Sequence, residues 1–120
     1  MSKHNHAKSP KDVVLAFVQA INDEDFKTAK IYASESMSFM GVLGSRNGSD
    51  AYFDDMKKML LKYDILKVFT DDEDVCLLYN LTMGSVIVYG CGWYKVEDGK
   101  VASLRVVFDP RPILQSASEK

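Results

Sequence analysis

Asp98-Gly99 lies between two runs of β-branched and aromatic residues, 86–96 and 101–108. An Asp-Gly pair in this setting is a strong short-range signal for a β-hairpin, because both residues tolerate the positive φ angles of a tight two-residue turn. The turn sets the register of the two strands, and the register decides which side chains share a face of the sheet. This hairpin therefore constrains the fold more than any other segment of the chain.

A two-residue loop at Asp98-Gly99 predicts three cross-strand pairs. They are Trp93 with Leu104, Cys91 with Val106, and Tyr89 with Phe108. Together with Ile87, these side chains form the bulkier and more apolar face, which we assign to the helices and the core. The opposite face carries Gly90 and Gly92, which either let the sheet curl or provide a flat surface for a second subunit.

The preceding loop, Gly84-Ser85, decides which residues of the next strand join this apolar face. If the loop also has two residues, Asn80 and Thr82 become the polar groups among the apolar set. A loop that differs by one residue would bring Tyr79 and Leu81 there instead, because side chains alternate between the two faces of a strand.

Three helices are predicted before these strands. Ser9 can cap the first helix, and Pro10 suits its first position. A second, short helix spans about residues 25–33, and Ser49 caps the third. The inward stripe of the third helix consists of Tyr52, Phe53, Met56, Met59, Leu60 and Tyr63.

The order of the predicted elements indicates an α+β fold. Residues 37–42 predict a short strand and residues 41–48 a glycine-rich loop, and four strands follow Tyr63 as a meander. Helices on one face of a curved antiparallel sheet leave a space where a ligand can bind. We expect one domain over residues 9–114, with a disordered tail at 1–8 and a C-terminal tail at 115–120.

Composition argues against several partners. The net charge is −2, so no basic field attracts nucleic acid, and no apolar run is long enough to span a membrane. The N-terminus lacks the apolar core of a secretory signal, so we expect a cytoplasmic protein with reduced thiols at Cys76 and Cys91. His4 and His6 are expected in the tail, and nothing in the sequence implies a metal or an organic cofactor.

The chain resembles a known family in two segments, Gly-Trp-Tyr-Lys-Val-Glu-Asp-Gly-Lys-Val and Val-Val-Phe-Asp-Pro-Arg-Pro. With the helix–helix–loop–helix order before them, these segments are similar to the SnoaL-like branch of the nuclear transport factor 2-like superfamily. The superfamily includes ketosteroid isomerases, polyketide cyclases and limonene-type epoxide hydrolases. The resemblance covers residues 9–114 and implies a cone-shaped, cystatin-like α+β roll.

The resemblance does not bring the family's catalytic groups with it. The phenol, the proton-shuttling carboxylate and the second acid of the isomerases fall on or near Phe17, Met40 and Cys91. One carboxylate of the epoxide hydrolases falls on Val106, and their arginine and other carboxylate fall near Leu78 and Asn80. We therefore assign no catalytic residue.

The sequence thus predicts a homodimeric protein that binds a small, mostly hydrophobic molecule in an apolar pocket. The alternatives are an isomerase- or cyclase-type lyase acting on an apolar carbonyl compound through Tyr and Asn80 hydrogen bonds, and a dimeric assembly module that uses the sheet. Arg105 and Asp109 could pair, bind an acidic ligand, or line the dimer interface, which we favour. The predicted ligand-binding residues are Phe17, Tyr32, Phe39, Met40, Phe53, Met56, Asn80, Tyr89, Cys91, Trp93, Val106 and Phe108.

Overall fold

The computed structural model describes residues 8–118, so the predicted tail with His4 and His6 lies outside the described residues. This part of the chain contains four helices and six strands. In order they are α1 (Pro10–Asn22), α2 (Phe26–Ile31), β1 (Ala33–Met40), β2 (Ser45–Asn47), α3 (Ser49–Met59), β3 (Lys62–Asp71), β4 (Asp74–Met83), β5 (Val86–Glu97), β6 (Lys100–Phe108) and α4 (Arg111–Ser118). The predicted α+β fold, a curved sheet with three helices N-terminal to its long meander, is confirmed.

The helix starts follow the capping chemistry of the sequence. The Ser9 hydroxyl accepts a hydrogen bond from the Asp12 amide at 3.1 Å, and Pro10 follows it at the first helical position. The expected cap at Ser49 is wrong by one residue. Gly48 is the N-cap of α3, with a φ of 91°, and Ser49 is the first helical residue and is buried. A φ in this region favours glycine because it has no Cβ.

The six strands form one sheet in the order β2-β1-β6-β5-β4-β3. The meander from β3 to β6 is antiparallel, as predicted. However, β1 runs parallel to β6, and β2 forms within the predicted glycine-rich loop. The C-terminal helix α4 is an addition to the prediction, since it extends to Ser118 and thus into the segment 115–120 that we expected to be a tail.

The two hairpin registers have different outcomes. The two-residue loop at Gly84-Ser85 is confirmed, and Asn80 lies opposite Tyr89. The turn at Asp98-Gly99 is also confirmed, and both residues have positive φ. A bulge then shifts the register between the Lys95 and Val96 pairs. The predicted pairs are therefore wrong by one residue, and they become Trp93 with Arg105, Cys91 with Val107, and Gly90 with Phe108.

The bulge reverses the face that we assigned to β5. Its inner side chains, which point towards the helices, are Val88, Gly90, Gly92, Tyr94 and Val96, and they are buried. We define the outer face as the side of the sheet away from the helices. The residues placed there, contrary to our assignment, are Asn80, Thr82, Ile87, Tyr89, Cys91 and Trp93. Leu104, Val106 and Phe108 lie on the inner face, as predicted.

Two glycines on the inner face make room for tyrosine rings. A Cβ at Gly92 would lie 2.8 Å from the Tyr94 ring and 3.1 Å from the Tyr79 hydroxyl oxygen. A Cβ at Gly90 would lie 2.9 Å from the Val107 carbonyl oxygen. Because both glycines lie on the inner face, they do not form the flat outer surface for a second subunit that we considered.

The core fills the concave side of the sheet, where α1 packs against β3 to β6 and α3 packs against β1 and β2. Phe17 is fully buried at its centre, with its ring about 6 Å from those of Tyr52, Phe53 and Tyr94. The longest helix of the described part, α1, has 13 residues, and none of its helices has the length and apolar character needed to cross a membrane.

Candidate functional site

A cavity of about 200 Å³ opens at one end of the cone. One side is formed by α3, another by the β1–β2 loop, and the floor by the inner face of the sheet. Most lining side chains are apolar, so the cavity is suited to an apolar ligand. The apolar lining comprises Phe39, Val42, Leu43, Met56, Met59, Leu61, Leu81, Met83, Val106 and Phe108.

Two phenols add polar groups to this apolar wall. Tyr52, from α3, and Tyr63, from β3, both line the cavity. The Tyr52 hydroxyl is buried, makes no hydrogen bond of good geometry within the described residues, and interacts with the neighbouring phenol of Tyr63. Burial raises the pKa of both phenols above the ordinary value. Both groups are therefore neutral and able to donate a hydrogen bond throughout the physiological pH range.

An ion pair closes part of the cavity mouth. Arg46 Nε lies 2.8 Å from Asp55 Oδ2, so the pair joins β2 to α3, and both residues line the cavity. Both side chains are partly exposed, so we assign the pair little stability of its own. Its effect is to hold the β1–β2 loop against the helix at the entrance.

The cavity contains four of the twelve predicted ligand-binding residues. Phe39, Met56, Val106 and Phe108 line it. Phe17 and Phe53 are buried in the core beneath it, where their rings contact Tyr52. Tyr32, the residue directly after α2, is half-buried and does not line the cavity. The remaining five, Met40, Asn80, Tyr89, Cys91 and Trp93, are also outside it, because their side chains belong to the outer side of the sheet or its edge.

The prediction missed the polar members of the cavity. Tyr52 and Tyr63 were placed in the inward stripe of the third helix, which was sufficient to suggest both as candidates, although Tyr63 belongs to β3 and not to the helix. Asp55 follows Tyr52 by three residues and so lies on the same side of α3. Leu81 and Met83 were not predicted as cavity residues because we assigned the opposite face of β4 to the inner side of the sheet. No sequence pattern identifies Arg46 as a cavity residue, because its position there depends on the loop folding back onto α3.

A second groove, of about 400 Å³, crosses the outer face between β2 and β5. It contains Trp93, Lys95 and Arg105 together with serine and asparagine side chains. Pairing of Arg105 with Asp109, one of the three roles we considered for these residues, is not seen among the described residues, and Asp109 pairs with Arg111 at 2.7 Å. The Arg111 guanidinium lowers the pKa of the Asp109 carboxyl to about 2.

Thiol and metal chemistry find little support in the described part of the chain. Cys76 and Cys91 are half-buried and do not form a disulfide. Burial raises the pKa of the Cys76 thiol, which disfavours the nucleophilic thiolate. Within residues 8–118, no group of three or more His, Cys, Asp or Glu side chains is placed to hold a metal ion.

This fold and its apolar cavity define a cone-shaped α+β protein of the kind that the sequence motifs suggested. The SnoaL-like domain family matches residues 14–104, which is most of the chain, and the protein belongs to that family. No protein of curated function matches the chain.

Solved structures agree with this family and extend the fold comparison. An NTF2-like protein of unknown function from Cytophaga hutchinsonii is 42% identical, with a TM-score of 0.86 over 88% of this chain and 95% of that one. An LEH-like epoxide hydrolase from M. tuberculosis is 22% identical, with a TM-score of 0.75 over 89% and 87% of the two chains. A candidate SnoaL-like polyketide cyclase from Shewanella denitrificans is 11% identical, with a TM-score of 0.78 over 92% and 98%. At such low identity, the last two show a shared fold alone.

Proposed function

We propose that the protein binds a small, mostly apolar molecule in the cavity between α3 and the sheet. The observation that carries this proposal is the apolar lining, which has carboxylate only at the mouth, at Asp55. An engineered cavity of about 150 Å³ is large enough for benzene. A cavity of about 200 Å³ therefore has room for one aromatic ring with a short substituent.

One observation favours a second candidate, an isomerase- or cyclase-type enzyme acting on an apolar carbonyl compound. Tyr52 and Asp55 both line the cavity and lie three residues apart on α3. A phenol that polarises a carbonyl and a carboxylate that moves a proton would form a minimal acid–base pair. Against it, Asp55 is held by Arg46 at the entrance. Turnover of a ketone that is lost in Asp55→Asn would favour the enzyme.

Filling the cavity should abolish binding of an apolar probe. We expect α-methylstyrene to bind with a measurable dissociation constant, and Val106→Phe to weaken it at least tenfold, because Val106 is a wall residue. The measurement is a titration followed by backbone amide chemical shifts. The control is Ile31→Phe, which adds the same ring on α2 at a side chain that is 62% exposed and belongs neither to the cavity lining nor to the outer face of the sheet.

Two outcomes would contradict the binding proposal. The first is an absence of saturable shifts in the unsubstituted protein. The second is an equal affinity in Val106→Phe and Ile31→Phe, which would place the probe elsewhere. Circular dichroism of both variants establishes that each is folded before the titration.

We also propose that a second copy of the chain covers the outer face, and that the protein is a homodimer. Ile87, Tyr89, Trp93 and Val107 are large apolar side chains there, and each is about half exposed or more. Exposed apolar patches of this kind commonly mark interaction sites. The outer face also has both signs of charge, from Asp64 and Lys67 to Asp74 and Lys95, as a self-complementary interface requires.

The free thiols further support a reducing compartment such as the cytoplasm.

A charge on this face should separate the dimer. We expect Ile87→Glu to elute as a monomer, because a carboxylate in an apolar interface loses its hydration without gaining a partner. Size-exclusion chromatography with light scattering gives the mass. Ile31→Glu is the matched control, since Ile31 is 62% exposed against 61% for Ile87 and belongs to α2. A monomeric unsubstituted protein, or a dimer in Ile87→Glu, would contradict the proposal.

A further inference from the structure

We propose that the rim of the cavity mouth docks onto the surface of a lipid bilayer, so that an apolar ligand can pass between the membrane and the cavity. We define the mouth rim as Val42 and Leu43 of the β1–β2 loop together with Met59 and Leu60 at the end of α3. The passage of a ligand rests on the proposed binding function, but docking itself is measured without any ligand. Docking at a membrane surface requires no helix that spans the bilayer.

The mouth rim is apolar and exposed to solvent. Its four side chains are between 41% and 67% exposed. Val42, Leu43 and Met59 also line the cavity, and Leu60 lies between two lining residues, Met59 and Leu61. Apolar surface therefore continues from the cavity wall out to solvent on two sides of the opening. Contiguous exposed apolar surface of this kind is unfavourable in water and marks an interaction site.

The backbone of Leu60 supports a functional reason for this exposed leucine. Leu60 is the C-cap of α3, with a φ of 49° and a ψ of 50°, which is the left-handed region. Glycine or asparagine is the usual residue there, because a Cβ is strained in this conformation. The other non-glycine residues with positive φ in the described part are all acidic, namely Glu24, Asp72 and Asp98. Leu60 is thus unfavourable both for its backbone and for its exposure, and insertion into a bilayer would offset that cost.

The shape of the mouth rim favours a lipid surface over a folded protein partner. The Gly41 amide donates a hydrogen bond to the Gly44 carbonyl oxygen at 2.8 Å, which closes a tight turn. Val42 and Leu43 are at the tip of this turn, and the rest of the rim is the end of a helix across the opening. A stable protein interface buries about 800 Å² on each side, which four side chains around an opening do not supply. Separate protruding side chains can instead insert between lipid headgroups.

The charges around the mouth rim fit an anionic lipid surface. Two ion pairs there cancel in charge, Arg46 with Asp55 and Lys62 with Glu24. Lys57 and Lys58 occupy the last turn of α3 and form no ion pair among the described residues. Asp54 lies one turn before Lys58, so one positive charge remains in excess. We therefore expect a moderate preference for anionic over zwitterionic lipid.

The experiment measures co-sedimentation with lipid vesicles in the absence of any cavity ligand. The vesicles are phosphatidylcholine alone or phosphatidylcholine with about one-third phosphatidylserine. We expect saturable binding to the anionic vesicles and about fivefold weaker binding to phosphatidylcholine alone, the effect of one basic side chain. Leu43→Ser should weaken binding to the anionic vesicles about tenfold, because a leucine side chain no longer leaves water. The matched control is Ile31→Ser on α2, which removes a similarly exposed apolar side chain outside the rim and should bind as the unsubstituted protein does.

A second variant separates docking from folding. Leu60→Asn should weaken vesicle binding while raising the urea midpoint of unfolding, because asparagine tolerates the left-handed conformation better than leucine does. Weaker binding by a more stable protein cannot result from unfolding. Unchanged vesicle binding in Leu60→Asn would contradict the inference.

The remaining outcomes separate this inference from the proposed function. If the unsubstituted protein binds neither kind of vesicle, the inference is overturned, while the titration with α-methylstyrene still decides the cavity function. Equal vesicle binding in Leu43→Ser and Ile31→Ser also overturns it, because the membrane contact would then lie elsewhere. A dimer that becomes a monomer in Leu43→Ser but not in Ile31→Ser would show a second copy on the rim, and this too overturns docking to lipid. Vesicle binding without any binding of α-methylstyrene would contradict the proposed function alone.

Discussion

Raising the pH from 8 to 11 should unfold this protein cooperatively. Four tyrosines line or fill the cone, and burial raises the pKa of each phenol above its ordinary value of about 10. They are Tyr52, Tyr63, Tyr79 and Tyr94. Their rings enclose the space between α3 and the sheet, so a phenolate at any of them would be a desolvated charge.

The direction of the effect follows from proton binding in the two states. Above pH 10 the unfolded chain loses these four protons while the folded protein retains them, so the unfolded state binds fewer protons. The free energy of unfolding therefore falls as pH rises. At pH 11 the loss is about 1.4 kcal/mol for each phenol and about 5 to 6 kcal/mol for the four together. That is comparable with the whole stability of a typical small domain, about 5 to 15 kcal/mol.

The measurement is tyrosinate absorbance recorded together with far-ultraviolet circular dichroism during an alkaline titration. We expect part of the tyrosinate signal to appear in the same cooperative step as the loss of ellipticity. Tyr79→Phe should move the midpoint to higher pH, since it removes one of the four buried phenols and preserves its ring. Full tyrosine ionisation by pH 11 with unchanged ellipticity would contradict the prediction.

The sequence was sufficient for the architecture because its signals were local. Asp98 and Gly99 define the last turn, Ser9 and Pro10 start α1, and the change from helical to strand spacing near Tyr63 separates the two layers. Each of these features depends on residues that are close together in the chain. These local features are present in the structure because the tertiary contacts favour the same local conformations.

The buried face of β5 was assigned wrongly because the side of the strand that faces outwards is the bulkier and more apolar one. The outer side is bulkier, with Tyr89 and Trp93, whereas the inner side combines two consecutive glycine positions with two valines and Tyr94. Side-chain volume alone therefore favours the wrong side. The arrangement that forms instead packs the Tyr79 and Tyr94 rings over Gly90 and Gly92. This depends on a bulge and on the neighbouring strand, and neither leaves a clear signal in β5 itself.

The wrong assignment of the β5 face also explains which cavity residues were predicted and which were missed. The cavity residues on α3, β1 and β6 were predicted because the faces assigned to these elements are correct, and Met56 and Phe108 are examples. Asn80 and Tyr89 were predicted as ligand-binding residues because they share a face of the sheet with Cys91. The structure places that face on the outer side. A one-residue shift in register exchanges one set of candidates for another, so predicted site residues on a strand depend on the full hydrogen-bond pattern.

Phe17→Ala should cost about 3 to 5 kcal/mol of unfolding free energy, the range for removing a large buried aromatic side chain. Phe17 is 0% exposed, and its ring lies 5.9 to 6.2 Å from three other aromatic rings. Deleting it leaves a space that α1, α3 and β5 cannot all close, because each is held by its own backbone hydrogen bonds. Urea unfolding followed by circular dichroism gives the difference. Phe69→Ala is the control, since Phe69 is 52% exposed on β3, and we expect it to cost less than about 1 kcal/mol.

The stability of this variant also distinguishes the two roles considered for Phe17. As a ligand contact at the cavity wall, its truncation would weaken α-methylstyrene binding with a modest loss of stability. As the packing centre beneath Tyr52, its truncation lowers stability first and affects the ligand only through the position of the Tyr52 ring. α-Methylstyrene should then still bind to the folded fraction of Phe17→Ala, because Phe17 does not line the cavity. An unchanged unfolding free energy with lost hydrocarbon binding would return Phe17 to the cavity wall and contradict the packing described here.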